Sequence, residues 1–391
     1  MPTSPSTSPP QMPAFLRGAS GTAFGKHEGR SALDLMAEAA SGALKSAQLE
    51  RAQIDGVLCG YATTLPHLML STLFCERFAL KPNYAHSMQL GGATGAAMLM
   101  AARELVRSGR CRNVLVVAGE NRLSGQSRDS SIQTLAQVGD ADYEVPNGAS
   151  VPAYYALMAS EYMHRTGVTS ADLAEFAVLM RNNAITHPDA HLRTPITVQD
   201  VLASKAIASP LSLMDCCPIS DGAMALVVSA DPHPQAAIAM RGAGQAHRHQ
   251  HLTAMEDVMR CGASDAASIA LDEAGMDISD FDYLGIYDSF TITLVMLLEE
   301  LGFAPRAGAA ARLRHGDFAR DGALPLNTHG GLLSYGHCGV AGGMAHVVEA
   351  WRQMSGLAGE RQLPRTPSRA FIHADGGVMS SHVSLVLTRE G

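Results

Sequence analysis

The first third of the chain alternates between two hydrophobic patterns. Apolar residues recur at helical spacing over 30–47, and a short β-rich run follows over 54–62. The stretch 91–109 opens with a glycine turn and continues as a nearly all-apolar helix, which must be buried because it lacks a polar face. Residues 113–119 form an unbroken aliphatic run, typical of a parallel strand covered on both faces. Strands alternating with helices predict βαβ units and a mainly parallel sheet.

The pattern weakens in the middle of the chain and then repeats. Between about 122 and 198, helical stretches stand among polar loops, which predicts a loop domain covering an active site. A buried strand is predicted at 222–229. The second half has predicted strands at 237–244, 283–287, 370–373 and 383–388, and predicted helices at 255–274, 292–301 and 344–354. We therefore divide the chain into a tail at 1–14, an N-terminal half at 15–235 and a C-terminal half at 236–391.

Each half places a glycine pair before a buried helix. The pairs are Gly91 with Gly92 and Gly342 with Gly343. Such a duplication predicts that two turns face each other at helix N-termini. Because backbone N–H groups and helix dipoles stabilise negative charge there, oxyanion chemistry is expected between the halves.

The second of these turns belongs to the glycine-rich stretch 327–343, NTHGGLLSYGHCGVAGG. Glycines at this density allow the backbone to take positive φ and to approach a ligand closely. The stretch is either a tight turn that presents His337 to a substrate or a connector with a buried, hydrogen-bonded histidine. The local pattern leaves both interpretations open.

Composition narrows the class of protein. Of 391 residues, 47% are hydrophobic and 17% charged, as in a large globular α/β protein. The net charge of −8 argues against a nucleic-acid partner. No run approaches about 18 consecutive apolar residues, so no membrane span is expected. The Pro/Ser-rich residues 1–14 resemble a disordered tail rather than a signal peptide, which predicts a cytoplasmic protein.

The cysteines predict neither disulfides nor a metal site. There are seven, an odd number, and none has the CxxC spacing of a zinc site. Free thiols in a reducing compartment and no bound metal are the simplest expectation.

The spacing Asn327-x-x-Gly330-Gly331, followed by Gly336-His337, resembles the C-terminal signature of thiolases. Four further stretches resemble thiolase motifs in order and spacing, namely 92–95, 221–223, 287–290 and 374–377. The resemblance covers nearly the whole chain. It implies the α/β thiolase fold, with duplicated βαβαβαββ halves in a five-layer α-β-α-β-α arrangement.

The departures from the family pattern concern catalysis. The positions that match the two reactive cysteines are Gly92 and Ala374, and neither residue supports covalent or proton-transfer chemistry. Tyr287 replaces an asparagine, and Cys338 replaces the proline after the histidine. Only His337 of the usual set remains.

Tyr287-Asp288-Ser289-Phe290 and the C-terminal stretch resemble the sterol carrier protein branch, which includes thiolase-like aldolases of steroid side-chain degradation. The resemblance implies a homodimer, and a small OB-fold, zinc-ribbon partner protein. It also implies an acyl-CoA substrate, with coenzyme A as part of that substrate and no bound cofactor. The expected reaction is retro-aldol cleavage of a bulky β-hydroxyacyl-CoA from a steroid or lipid side chain.

Tyr287 and His337 are the expected catalytic pair. Tyr287 would serve as a base if the two helix N-termini and His337 lowered its pKa, while His337 would be the general acid or oxyanion donor. Further candidates near the site are Cys338, Tyr335, His329 and His373. The expected oxyanion and turn residues are Gly92, Gly376, Gly377 and Asn327.

Two other functions stay open from the residues. Acyl transfer of the acetyl-CoA acetyltransferase type would need an unusual nucleophile such as Cys338, or direct passage of the acyl group. Loss of both cysteines also fits an inactive subunit that binds acyl-CoA as a scaffold. Tyr287, read without the resemblance, is as well explained as a buried aromatic residue with a hydrogen-bonded hydroxyl.

Overall fold

The computed structural model describes residues 12–148 and 150–390, so the predicted tail lies outside the described residues except for 12–14. The strands are β1 (Phe15–Gly21), β2 (Gly56–Gly60), β3 (Tyr84–Met88), β4 (Asn113–Asn121), β5 (Ala206–Ala208), β6 (Leu211–Ser212), β7 (Asp221–Ser229), β8 (Ala237–His247), β9 (Tyr283–Ile286), β10 (Arg369–Gly376) and β11 (Ser381–Glu390). The helices are α1 (Ala32–Ala47), α2 (Leu70–Arg77), α3 (Thr94–Arg107), α4 (Arg122–Gly125), α5 (Arg128–Ala136), α6 (Val151–Thr166), α7 (Ser170–Ile185), α8 (Val198–Ala203), α9 (Ala263–Ala274), α10 (Thr291–Glu300), α11 (Ala309–His315) and α12 (Val340–Ser355).

Strand order shows the duplication directly. The main sheet of the described residues runs β3-β2-β4-β7-β1-β8-β11-β10-β9. In the N-terminal half, β2 pairs in parallel with β3 and β4, and β7 then pairs antiparallel with β4 and β1. The C-terminal half repeats this scheme with β9, β10, β11 and β8, and a parallel bridge from Leu284 to Leu326 stands where β3 does in the first half. The predicted duplicated βαβαβαββ fold is confirmed.

The prediction of a mainly parallel sheet is wrong. Only β2–β3, β2–β4 and β9–β10 are parallel, and the last strands of each half return antiparallel. Every residue of β7 is buried, so this antiparallel strand carries the same continuous apolar run as a parallel one. A continuous aliphatic run indicates that both faces of a strand are buried. It does not indicate whether the strand pairs in parallel or antiparallel.

Helices α3 and α12 form the central layer. Each contacts strands of both halves, whereas α1 packs on β1 and β7, and α9 packs on β8 and β11. The strands of each half form one layer of the continuous sheet. With one helical layer between the halves and one outside each, they give the expected five layers. The central helices approach closely because a Cβ on Gly95 would lie only 2.5 Å from Met344 Cγ.

Some predicted boundaries need correction. Gly342 and Gly343 do not form a turn but lie within α12, where a Cβ on Gly343 would come within 2.8 Å of Gly92 O. Because they have no side chain, these glycines allow the two central helices to pack closely together. The helix predicted at 255–274 begins only at Ala263, after Gly262 at φ 106°. Strand β1 was not predicted from the pattern.

A buried ion pair holds α12 to the start of the 327–343 stretch. Glu349 receives two hydrogen bonds from Arg361 Nη1, at 2.6 and 2.7 Å, and one from Thr328 Oγ1 at 2.9 Å. Despite full burial, Arg361 lowers the pKa of Glu349 to about 2. A carboxylate with a depressed pKa stabilises the fold above its unfolded pKa near 4.5, and this stabilisation is lost as the pH falls toward 2.

Replacing Glu349 with glutamine is expected to lower the free energy of unfolding at pH 7 by about 3 kcal/mol, because Arg361 would be left as an uncompensated buried charge. The difference from wild type should shrink between pH 4.5 and pH 2, where the wild-type carboxylate takes up a proton. Urea unfolding at pH 7 and pH 3 measures both values. The exposed neighbour Glu360 gives a control, since Glu360→Gln should change little at either pH. A Glu349→Gln deficit that stays constant with pH would contradict the assignment.

Candidate active site

Two segments from the C-terminal half bring Tyr287 and His337 together. Tyr287 follows the buried strand β9, and its backbone N–H donates to His373 O at 3.0 Å. His337 follows a π-helical turn, Gly331–Tyr335, and its backbone N–H donates to Pro218 O at 3.0 Å. Tyr287 Oη lies 3.0 Å from His337 Nε2, and the two rings are perpendicular. The predicted pair is thus in direct hydrogen-bond contact.

The Tyr287 hydroxyl occupies the space next to Gly92. A Cβ built on Gly92 would lie 2.1 Å from Tyr287 Oη and 2.5 Å from the backbone oxygen of Asp375. A side chain at residue 92 would require both Tyr287 and the backbone of Asp375 to shift, because real Cβ contacts are essentially never so short. The tyrosine hydroxyl therefore occupies part of the volume that a side chain at residue 92 would need.

Burial keeps the pair uncharged. It raises the pKa of Tyr287 well above 10, with Asp375 adding to the rise, so the expectation of a lowered pKa is wrong at this site. Desolvation outweighs the helix N-termini here. Burial, with a contribution from Arg122, lowers the pKa of His337 to about 4, so its imidazole is neutral at pH 7. The pair can donate and accept hydrogen bonds and is not an ion pair.

The pair faces a cavity of about 260 Å³ between the two halves. One wall is apolar and comes from segment 122–198, with Leu135, Val138, Val151 and Pro152 on the cavity surface. The opposite wall holds Tyr287, His337, Gly92 and Gly377. Predominantly apolar walls with a few convergent polar groups are typical of a small-molecule site.

The cavity lining includes one acidic and one basic residue that were not among the predicted site residues. Asp375 is fully buried, and one carboxylate oxygen accepts a hydrogen bond of 3.2 Å from Tyr155 Oη. Arg122, also buried, donates to Thr63 Oγ1 at 3.1 Å and lies 3.5 Å from Glu120 Oε2. A sequence signal existed for Asp375, which stands inside the 374–377 motif next to the position of a lost cysteine. None marked Arg122.

Several predicted residues lie elsewhere. Cys338 is fully buried, does not line the cavity, and has a pKa raised well above 9 by burial, so its thiol is protonated. Tyr335 and His329 pack against each other with ring centroids 5.3 Å apart, away from the cavity surface. His373 on β10 contacts Ser384 Oγ at 2.9 Å and His382 Nδ1 at 3.1 Å.

Of the four predicted oxyanion and turn residues, two line the cavity and two do not. Gly92 and Gly377 line the cavity, whereas Gly376 packs behind it, where a Cβ would lie 2.3 Å from Leu90 O. Asn327 adopts φ 44°, and its amide exchanges two hydrogen bonds with the backbone of Ile286, at 2.9 and 2.7 Å. Asn327 thus holds the turn against β9, and it does not line the cavity.

All seven cysteines are free thiols, and none takes part in a disulfide. Within residues 12–148 and 150–390, no helix is both long and apolar enough to pass through a membrane.

The fold and this site define a class of protein. Residues 14–231 match the family described as "Thiolase, N-terminal domain", and residues 244–389 match "Thiolase C-terminal domain-like". The chain belongs to the thiolase family, as the sequence motifs indicated.

Its relatives include both lyases and acyltransferases. A steroid side-chain-cleaving aldolase of Thermomonospora curvata is 32% identical, over 95% of this chain and 97% of that one. An acetyl-CoA acetyltransferase of Methanothermobacter thermautotrophicus is 29% identical, over 88% of this chain and 92% of that one. Among solved structures, the Ltp2-ChsH2(DUF35) aldolase superposes with a TM-score of 0.83 at 29% identity, covering 96% of this chain and 97% of that chain.

Proposed function

We propose that the chain is an enzyme that breaks a C–C bond of a β-hydroxyacyl-CoA by retro-aldol cleavage, without a covalent intermediate. One observation carries this proposal: the Tyr287 hydroxyl, which is hydrogen-bonded to His337, occupies the volume that a nucleophilic side chain at residue 92 would need. Thiolysis by the standard route requires a thiol at that place. Retro-aldol cleavage requires instead a proton acceptor and a stabilised enolate.

The Tyr287–His337 pair can stabilise the thioester enolate by hydrogen bonding. When the Cα–Cβ bond breaks, negative charge develops on the thioester oxygen, and a preorganised donor there typically contributes about 10²- to 10³-fold to the rate. In the tautomer with a proton on Nε2, His337 donates to Tyr287 Oη, which frees the tyrosine O–H for the oxyanion. Hydrogen bonds arranged in such a chain strengthen one another. The nearby N-terminus of α3 favours negative charge at the same place.

The apolar wall suits a bulky acyl chain. Leu135, Val138, Val151 and Phe290 surround the space in front of Tyr287, so an apolar substituent on the β-carbon would be bound by burial of its surface. The relative named a steroid side-chain-cleaving aldolase supports a steroid or lipid side chain as the substrate class.

Partners form a second part of the proposal. The solved relative carries a second component in its name, ChsH2(DUF35), which supports a partner protein for this chain. That the partner is a small OB-fold, zinc-ribbon protein is the part of the proposal that comes from the family resemblance alone. A homodimer would use β3, which lies at the edge of the sheet and pairs only with β2 in the described residues. The free cysteines fit the reducing conditions of a cytoplasmic location.

The test is a cleavage assay on the full chain, alone and co-expressed with such a partner. A β-hydroxyacyl-CoA with a tertiary hydroxyl carbon should give a ketone and a shortened acyl-CoA, both detected by mass spectrometry. The same preparation is given a β-ketoacyl-CoA with free CoA to measure thiolysis. Thiolysis without cleavage would contradict the proposal, and acyl-CoA binding without either reaction would favour the scaffold.

Acyl transfer is the second candidate, because one relative is named an acetyl-CoA acetyltransferase. Cys216 and Cys217 are the thiols that could serve it, since both line the cavity, although burial raises the pKa of each far above 9. Rapid alkylation of either cysteine by iodoacetamide with loss of activity would support this candidate.

A further inference from the structure

Asp375 lines the cavity, and one of its carboxylate oxygens is buried without a hydrogen-bond partner in the part of the chain that the structure describes. Asp375 Oδ2 accepts from Tyr155 Oη, but Oδ1 is buried and has no hydrogen-bond partner among the described residues. Tyr155 is itself fixed, because its ring stacks on Phe290 at a centroid distance of 4.3 Å. A buried acceptor without a partner costs about 1–3 kcal/mol, so its presence in a binding cavity calls for a ligand.

Two buried aspartates outside the cavity have both carboxylate oxygens in hydrogen bonds, whereas buried Glu299, also outside the cavity, leaves Oε2 without a partner in the described chain. Asp215 accepts from Thr291 Oγ1 at 2.9 Å with one oxygen and from Ser212 N at 2.9 Å with the other. Asp288 accepts from Leu332 N at 2.7 Å and Leu333 N at 3.4 Å. Both oxygens are occupied in each case, and neither residue lines the cavity. Asp375 differs in both respects.

We propose that Asp375 is a further catalytic residue, which transfers the proton from the β-hydroxyl of the substrate to Cα. Its carboxylate accepts the proton of the β-hydroxyl, the O–H electron pair forms the ketone C=O, and the Cα–Cβ pair passes to the thioester enolate. The carboxylic acid then returns this proton to Cα, which restores the carboxylate and gives the shortened acyl-CoA. No oxidant, reductant or other co-reactant is needed. This role rests on the proposed retro-aldol function.

The surroundings of Asp375 favour such an exchange. Burial raises the pKa of Asp375 to about 7, although the hydrogen bond from Tyr155 and the nearby backbone N–H of Met379 lower it. The titratable groups that face it are Tyr155, Tyr287 and Cys261, all uncharged at neutral pH because burial raises their pKa values. Arg122 and His337 line the same cavity. A group whose pKa is near the working pH exchanges protons most effectively.

The experiment compares wild type with Asp375→Asn in two reactions. The first is cleavage of the β-hydroxyacyl-CoA, and the second is exchange of the α-proton of the shortened acyl-CoA with D₂O, which involves no C–C bond. Asp375→Asn should lower both rates by about 10²-fold. For wild type, kcat/KM for cleavage should rise with pH through about 7, because the carboxylate is the active form, and Asp375→Asn should lose this rise. Asp215→Asn is the matched control for removing a buried carboxylate, and circular dichroism with Tm checks the fold of both variants.

The outcomes separate the two proposals. Wild-type cleavage with an unchanged rate and pH profile in Asp375→Asn would overturn the role of Asp375 and leave the retro-aldol function standing. No cleavage by wild type, with or without the partner, would reject the proposed function. Deuterium exchange that depends on Asp375 would in that case still support its role at Cα. If Asp375→Asn fails to fold, Asp375→Glu is used, and an unshifted pH profile in that folded variant would contradict the proposal.

Discussion

Replacing Tyr287 with phenylalanine is expected to lower kcat for β-hydroxyacyl-CoA cleavage by about 10²- to 10³-fold, the usual effect of removing one oxyanion donor. The phenylalanine ring keeps the packing beside Gly92 and removes only the hydroxyl that lies 3.0 Å from His337 Nε2. KM should change little, because the hydroxyl acts mainly on charge that develops in the transition state. Steady-state kinetics with the partner present measure both values.

A matched variant distinguishes catalysis from stability. Tyr283 begins β9, the strand that Tyr287 follows, and its buried hydroxyl contacts Thr328 Oγ1 at 3.2 Å, outside the cavity. Tyr283→Phe should cost about 1 kcal/mol of stability and leave kcat unchanged. His337→Gln should resemble Tyr287→Phe, and the double variant should be no worse than either single one, because the two groups act as a unit. Additive losses, or a fully active Tyr287→Phe, would contradict the pair.

The central architecture could be predicted from sequence because it depends on local signals. The apolar helix after Gly92 had no polar face, and α3 is indeed buried between the halves. The five motifs, which occur in the order typical of thiolases, then indicated the family. Strand direction could not be predicted, because β7 and β4 are equally buried and only their pairing partners distinguish them.

The site was predictable where a motif named the residue. Tyr287 and His337 were found in this way, and the structure places them 3.0 Å apart. The pKa of Tyr287 was not predictable, because it depends on how deeply burial desolvates the hydroxyl and on the charge of Asp375. Asp375 was missed for a related reason. Its distinguishing feature is a partnerless carboxylate oxygen on a residue that lines the cavity, which exists only once the chain has folded.

The spatial relation between Gly92 and Tyr287 links the two departures from the thiolase pattern. A side chain at 92 and a tyrosine at 287 compete for one volume, so a cysteine nucleophile cannot be regained by a single substitution. The same contact explains why the tyrosine hydroxyl is held against His337 and close to the backbone of Asp375. The absence of a thiol at residue 92 is therefore a requirement of the proposed proton-transfer site.

Gly92→Ala is expected to lower kcat by as much as Tyr287→Phe, although it adds only a methyl group. The new Cβ would meet Tyr287 Oη at 2.1 Å and Asp375 O at 2.5 Å, so the hydroxyl must leave His337. Overpacking should also cost about 1–3 kcal/mol of stability. Gly95→Ala is the matched control, because its Cβ would press on the flexible Met344 side chain in the same helix layer. It should affect stability and leave kcat near the wild-type value.

A double-mutant cycle tests whether the methyl group acts through Tyr287. In the Tyr287→Phe background, the hydroxyl is already gone, so adding Gly92→Ala should reduce kcat by less than about twofold further. Stability should still fall, because Tyr287 Cζ and Asp375 O lie 2.6 and 2.5 Å from the new Cβ position in the wild-type geometry. If the two substitutions instead multiplied their effects on kcat, Gly92 would act on the reaction by a separate route. The tyrosine would then not be the group that replaced the lost nucleophile.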